Sequence, residues 1–182
     1  AKELIITDHP VVITGNATRD ISNTPDWIIL WLKNSFLDLK KLNNNNNKIY
    51  IDRNDEKSNY PLERSIENET EIKKYLRDNN FIIAKLHKMN FNEQVNLFNN
   101  AECVVGLHGG GFANISFCNP GTKVVELKSL TAGDAIKNLA KKNKLNYDSI
   151  ESESKEIRKF DFPTQQGSIH VPLDRLKKIL EG

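Results

Sequence analysis

The sequence predicts an α/β fold, a Rossmann-like three-layer arrangement in which a parallel sheet carries helices on both faces. Two observations point there. Short apolar runs alternate along the chain with polar or amphipathic stretches of helical period, and one such run, Cys103-Val104-Val105, opens into the glycine-rich loop Gly106-Leu107-His108-Gly109-Gly110-Gly111-Phe112-Ala113-Asn114. The length of 182 residues and the 38% hydrophobic content suit one domain over residues 1–182 with a core of its own.

The strands are expected at Leu4-Ile5-Ile6 and Val11-Val12-Ile13, which flank Asp8-His9-Pro10, then at Lys48–Asp52 and Phe81–Leu86. Further strands follow at Glu102–Leu107 and Lys123–Leu127, with a weaker one near Tyr147. A first helix runs from Pro25, a good first-turn residue, to about Leu42, with Trp27, Leu30, Trp31 and Leu37 at mixed helical spacing. Asn68 with Glu71, and Asn90 with Glu93, each fit a cap followed by an acidic residue that reaches back, and predict helices near 68–79 and 91–100. Another helix is expected from Ala132 to Asn143. Residues 149–168 hold an expected exposed excursion, since Ser149–Lys159 is charged and serine-containing with little apolar periodicity. Ile169-His170-Val171, then Pro172 with Leu173, Leu176, Ile179 and Leu180, reads as a strand and a closing helix.

Composition excludes several classes. The 26 Lys and Arg nearly balance the 24 Asp and Glu, so the formal net charge of +2 gives no global argument for nucleic acid or an anionic membrane. Cys103 and Cys118 lack the spacing of a zinc site or a disulfide framework and read as small core residues in a reducing, cytoplasmic compartment. No segment approaches the roughly 18 apolar residues of a membrane span. The run Asn43–Asn47 reads as a surface loop, and the sequons at Asn16, Asn68 and Asn114 are chance matches expected of an asparagine-rich chain.

The glycine loop is the first candidate site. Successive glycines let a ligand approach the backbone, and a helix starting there would aim unpaired N–H groups and its positive dipole end at a phosphate, with His108 at the rim. In an open parallel sheet, ligands sit beyond the carboxyl ends of the strands. Two other loops there have suitable contents: one holds Arg53, with Arg64, Asn68 and Glu69 downstream, and the other leads to Glu93 and Gln94. Arg53 and Arg64 suit phosphate, or else pair with Asp52, Asp55, Glu63 and Glu67. Glu93 is either a cleft carboxylate or a helix cap partner of Asn90, and Gln94 a surface amide. Glu126, ending an apolar strand, is either solvated or placed to meet ribose hydroxyls. The glycine loop itself is also readable as a plain strand-to-helix turn.

Taken in order, five blocks resemble glycosyltransferase family 61, also catalogued as domain of unknown function 563. They are Ile49-Tyr50-Ile51-Asp52-Arg53, Arg64 with Asn68-Glu69, Glu93-Gln94, His108-Gly109-Gly110-Gly111 with Asn114, and Pro120-Gly121-Thr122 before Val125-Glu126-Leu127. The family pattern has Ser-Arg where this chain has Asp52-Arg53, and His-Gly-Ala-Gly where it has Gly110 in third place. The first departure puts an extra negative charge near the expected diphosphate site. The resemblance implies the carboxyl-terminal, nucleotide-binding half of a two-Rossmann-domain (GT-B) enzyme of polysaccharide biosynthesis. Such an enzyme takes a nucleotide sugar as co-substrate and a glycan or other hydroxyl acceptor, inverts the anomeric carbon, and needs no metal and no further cofactor. It implies donor or phosphate contacts at Arg53, Arg64, Asn68, Gly109, Gly110, Gly111, Asn114 and Glu126, and catalytic positions at His108 and Glu93. An acceptor domain is then missing, which leaves a non-catalytic nucleotide-sugar or phosphate-binding module as the alternative.

Two rival classes are weaker. His-Gly-Gly-Gly also forms the oxyanion loop of lipase-type esterases, but no Gly-x-Ser-x-Gly occurs here, and Gly167-Ser168-Ile169-His170 lacks the final glycine. A dinucleotide oxidoreductase would need Gly-x-Gly-x-x-Gly in the first strand-to-helix turn, and the chain lacks it.

Overall fold

The computed structural model describes residues 14–15, 17–25, 27–37, 46–53, 64–155 and 164–182. Helices α1 (Ala17–Asn23) and α2 (Trp27–Phe36) precede β1 (Asn47–Ile51), β2 (Ser65–Ile66), α3 (Glu69–Asp78), β3 (Phe81–Ala84), α4 (Phe91–Asn99) and β4 (Ala101–Leu107). A 3₁₀ segment, Gly110–Phe117, leads on to β5 (Lys123–Ser129), α5 (Ala135–Lys142), β6 (Asn146–Ser152), β7 (Ser168–Ile169) and α6 (Leu173–Glu181).

Five strands form one sheet in the order β3-β1-β4-β5-β6, and every neighbouring pair is parallel. The strands β2 and β7 pair separately. The winding reverses between β1 and β4, so a crevice opens beyond their carboxyl ends, the usual ligand position of such sheets.

Strand residues alternate between the two faces, and the core divides accordingly. Ile49, Ile51, Val104 and Val124 pack with Val95 and Phe98 of α4, Ile136 and Ala140 of α5, and Phe112 and Ile115 of the 3₁₀ segment. Tyr50, Val105, Leu107, Val125, Leu127 and Ile150 pack on the other side with Ile72 and Leu76 of α3 and Leu176 of α6. The sheet thus has helices on both faces, as the Rossmann-like reading requires.

Some expectations change. The strands at 4–6 and 11–13 lie outside the described residues, as do 38–42 of the first predicted helix and 43–45 of the asparagine loop. Residues 149–152 do not belong to an exposed excursion, because β6 continues through Ser152 in full register with β5. Its polar residues defeat a reading by apolar content, since only Ile150 of this strand is buried. Gln165 and Gln166 are buried too, and Gln165 Oε1 accepts a hydrogen bond of 2.7 Å from the Ser129 amide. Residues 156–163 of the excursion lie outside the described residues.

Helix α4 has the full capping box of Asn90 and Glu93. At α3 the same motif is present in sequence but Asn68 makes no side-chain cap. Its amide instead brackets Val171, accepting from that residue's N–H at 3.0 Å and donating to its carbonyl at 2.9 Å.

Candidate active site

The apolar alternation of β1 decides where Arg53 goes. Ile49 and Ile51 share the α4–α5 face, Arg53 follows in the same phase, and its Nη1 donates to the His108 carbonyl at 2.6 Å. That contact joins the carboxyl ends of β1 and β4 at the winding reversal. A Cβ on Gly109 would lie 2.2 Å from Nη1, so the guanidinium occupies the space that glycine leaves. At Gly111 a Cβ would stand 3.0 Å from Ile51 Cγ2 and 3.2 Å from Leu86 Cδ1, whereas at Gly110 it would meet nothing within 4 Å. The loop enters a 3₁₀ segment, tighter than the α-helix expected, with Phe112 N bonded to Gly109 O at 3.0 Å. A brace holds it from below: Asn114 Nδ2 donates to Gln94 Oε1 at 3.1 Å, and Gln94 Nε2 donates to the carbonyls of Leu86 and Met89.

Beside the loop stands a chain of three side chains. His108 Nδ1 meets Glu126 Oε1, and Tyr147 donates its hydroxyl proton to Glu126 Oε2. Glu126 is fully buried, so both carboxylate oxygens have partners inside the protein, as a buried charge requires. Burial and the Glu126 carboxylate push the Tyr147 phenol well above its ordinary range, which keeps it a proton donor. Sheet register assembles the trio. Gly106 lies opposite Glu126, Glu126 opposite Ser149, and Val124 opposite Tyr147, so His108, Glu126 and Tyr147 fall on one face near one end.

Asp52 has the opposite phase and points to the α3 side. There Lys73 Nζ lies 2.8 Å from Asp52 Oδ1 and 3.1 Å from Glu69 Oε1, and Tyr50 donates to Glu69 Oε1 at 2.9 Å. The extra negative charge expected near the diphosphate is therefore on the far face from Arg53 and neutralised by Lys73. Burial first, then Glu69, pushes the Tyr50 phenol far upward, so it remains a donor.

Other residues named from the sequence stand differently. Arg64 Nη2 reaches Thr164 Oγ1 at 3.3 Å, and Thr164 is tied to Thr131 just past β5. Asn68 holds Val171. Glu93 is exposed and closes the α4 capping box, its Oε2 accepting from Asn90 N at 2.7 Å. Thus Arg53, His108, Gly109, Gly110, Gly111 and Asn114 come together, with Glu126 directly behind His108. Sequence reasoning passed over Tyr147 and Lys73. Strand phase alone does not find Tyr147, because its alignment with Val124 beside Glu126 follows only once β6 is known to lie next to β5. Among the described residues no group of three or more His, Cys, Asp or Glu is placed to hold a metal ion.

The open parallel sheet thus carries a glycine loop and an arginine at its winding reversal, where sheets of this class take their ligands. The family model described as Glycosyltransferase 61 matches residues 5–125, more than half of the chain, and the chain belongs to the glycosyltransferase 61 family. Membership supports a glycosyltransferase function with donor and acceptor substrates. No curated protein matches the chain. No helix among the described residues is long and apolar enough to cross a membrane.

Proposed function

We propose that the chain is the nucleotide-binding, carboxyl-terminal portion of an inverting glycosyltransferase that moves a sugar from a nucleotide-sugar donor to a hydroxyl of a glycan or other acceptor. The contact of Arg53 with the glycine loop at the winding reversal carries the reading. As the bond from the anomeric carbon to the diphosphate breaks, negative charge grows on the leaving oxygen, and fixed donors there lower the barrier. Arg53 and the amides of Gly110 and Gly111 are the groups for this task, which in this reading needs no metal. His108 removes the proton of the acceptor hydroxyl as its oxygen bonds to the anomeric carbon from the opposite face, and Glu126 stabilises the resulting imidazolium. Glu93 keeps its place in the helix cap and takes no proton. A second Rossmann-like domain supplies the acceptor side, as in GT-B enzymes, and the unpaired buried thiols of Cys103 and Cys118 suit a cytoplasmic role in polysaccharide synthesis.

Calorimetry with uridine and guanosine diphosphate tests this. Arg53→Ala should weaken binding of the preferred nucleotide about 10-fold or more, while His108→Ala binds it and loses transfer. The reading fails if neither nucleotide binds at millimolar concentration, or if Arg53→Ala binds as the wild type does. Binding without transfer or donor hydrolysis would make the chain a non-catalytic module.

A further inference from the structure

We infer that Tyr147 is a positioning residue for His108: acting through Glu126, it fixes the imidazole with the proton on Nδ1 and leaves Nε2, across the ring, as the proton acceptor. The inference rests on the proposed function only for the use made of Nε2. A carboxylate accepts and cannot donate, so a charged Glu126 facing His108 Nδ1 requires an N–H there. One such contact alone would leave the carboxylate able to rotate about its terminal bond. Tyr147 removes that freedom by holding the second oxygen from the neighbouring strand.

The groups around the trio favour this polarity on balance. Asp134 at the start of α5 adds negative charge that keeps the phenol protonated, and the hydrogen bond from Ser149, on the same face of β6, which acts the other way, is outweighed by burial and the Glu126 carboxylate. On the other side Arg53 donates to the His108 carbonyl and so fixes the backbone that bears the ring. Glu126 is thereby held from His108 on one side and Tyr147 on the other, with no exposure to water. Tyr147 lies beyond residues 5–125, the stretch matched to the family, so the family match does not itself bring it into the site.

The test reads the ring nitrogens directly. The chain has four histidines, so nitrogen-15 labelling of histidine, with His108→Gln as the assignment control, isolates the His108 signals. In the wild type, neutral His108 should carry its proton on Nδ1, and the Tyr147 hydroxyl proton should give a slowly exchanging signal. Tyr147→Phe keeps the ring and its packing; it should convert His108 to a mixture of the two tautomers and lower the transfer rate about 10-fold, with the KM for the nucleotide sugar within about twofold. A wild-type His108 protonated on Nε2, a rapidly exchanging Tyr147 hydroxyl, or an unchanged tautomer in Tyr147→Phe overturns the inference. The first two readouts need no variant and no substrate. A locked Nδ1–H in a protein that neither binds nor transfers supports this inference and removes the proposed function instead.

Discussion

At Gly109 an added Cβ would lie 2.2 Å from Arg53 Nη1, and at Gly110 it would meet nothing within 4 Å, so two adjacent glycines answer to different constraints. Gly110 is the position where the family pattern carries alanine, and the open space there explains why either residue fits. Gly110→Ala should therefore raise stability by about 0.4–1 kcal/mol, by restricting the unfolded chain, and leave nucleotide binding intact. Gly109→Ala should displace the guanidinium and weaken binding as Arg53→Ala does. Thermal unfolding and calorimetry on the two variants check both statements, and equal behaviour would sink them. A third prediction concerns Lys73, whose side chain is 11% exposed beside an Asp52 that is 4% exposed. Lys73→Met withdraws its charge from a buried carboxylate and should cost about 3–5 kcal/mol in urea unfolding, with partial recovery in the double variant Lys73→Met, Asp52→Asn. Arg53 and His108 were legible because each stands just past a strand-forming apolar run, in the loop where a parallel sheet takes its ligands. Lys73 was not, because its partner lies 21 residues away and on a different element.

Helices α3 and α4 begin with the same signal, and only α4 is capped by it. The Asn90 side chain accepts from Glu93 N at 3.0 Å and among the described residues is drawn to no distant segment, whereas the Asn68 amide is drawn 103 residues along the chain to Val171. A local motif predicts a local bond only where no tertiary contact outbids it. Asn90→Ala should cost about 1 kcal/mol of stability, while Glu93→Gln should keep transfer activity near the wild-type rate. Loss of transfer in a folded Glu93→Gln variant would return Glu93 to the chemistry. The strands follow a parallel logic. β1, β4 and β5 were legible from their apolar runs, but β6 presents one buried apolar residue and was hidden by its serines and acids.

Across the whole molecule the two thiols sit in opposite layers, Cys118 with the α4–α5 core and Cys103 with the α3–α6 core. Burial pushes Cys103 up to about 11 and Cys118 up to about 12. Both folded values exceed the ordinary 9.0, so each buried thiol contributes stability that is complete below pH 9.0 and is lost as pH rises through about 11 and about 12. Urea midpoints measured from pH 8 upward should fall across that window, and native protein at pH 8 should resist alkylation at both sites until denatured. Rapid labelling of the native protein would refute the second statement. The order of the sheet was less legible than its strands, because apolar runs do not say which strands are neighbours, and the site depends on that order. His108, Glu126 and Tyr147 meet only because three parallel strands agree in phase. An insertion or deletion of one residue within β5 would exchange Glu126 for an aliphatic neighbour on that face, whereas the same change in the turn before the strand leaves the phase untouched. Length variation among related chains should accordingly accumulate in the connections and be purged from β4, β5 and β6, even at their solvent-facing residues.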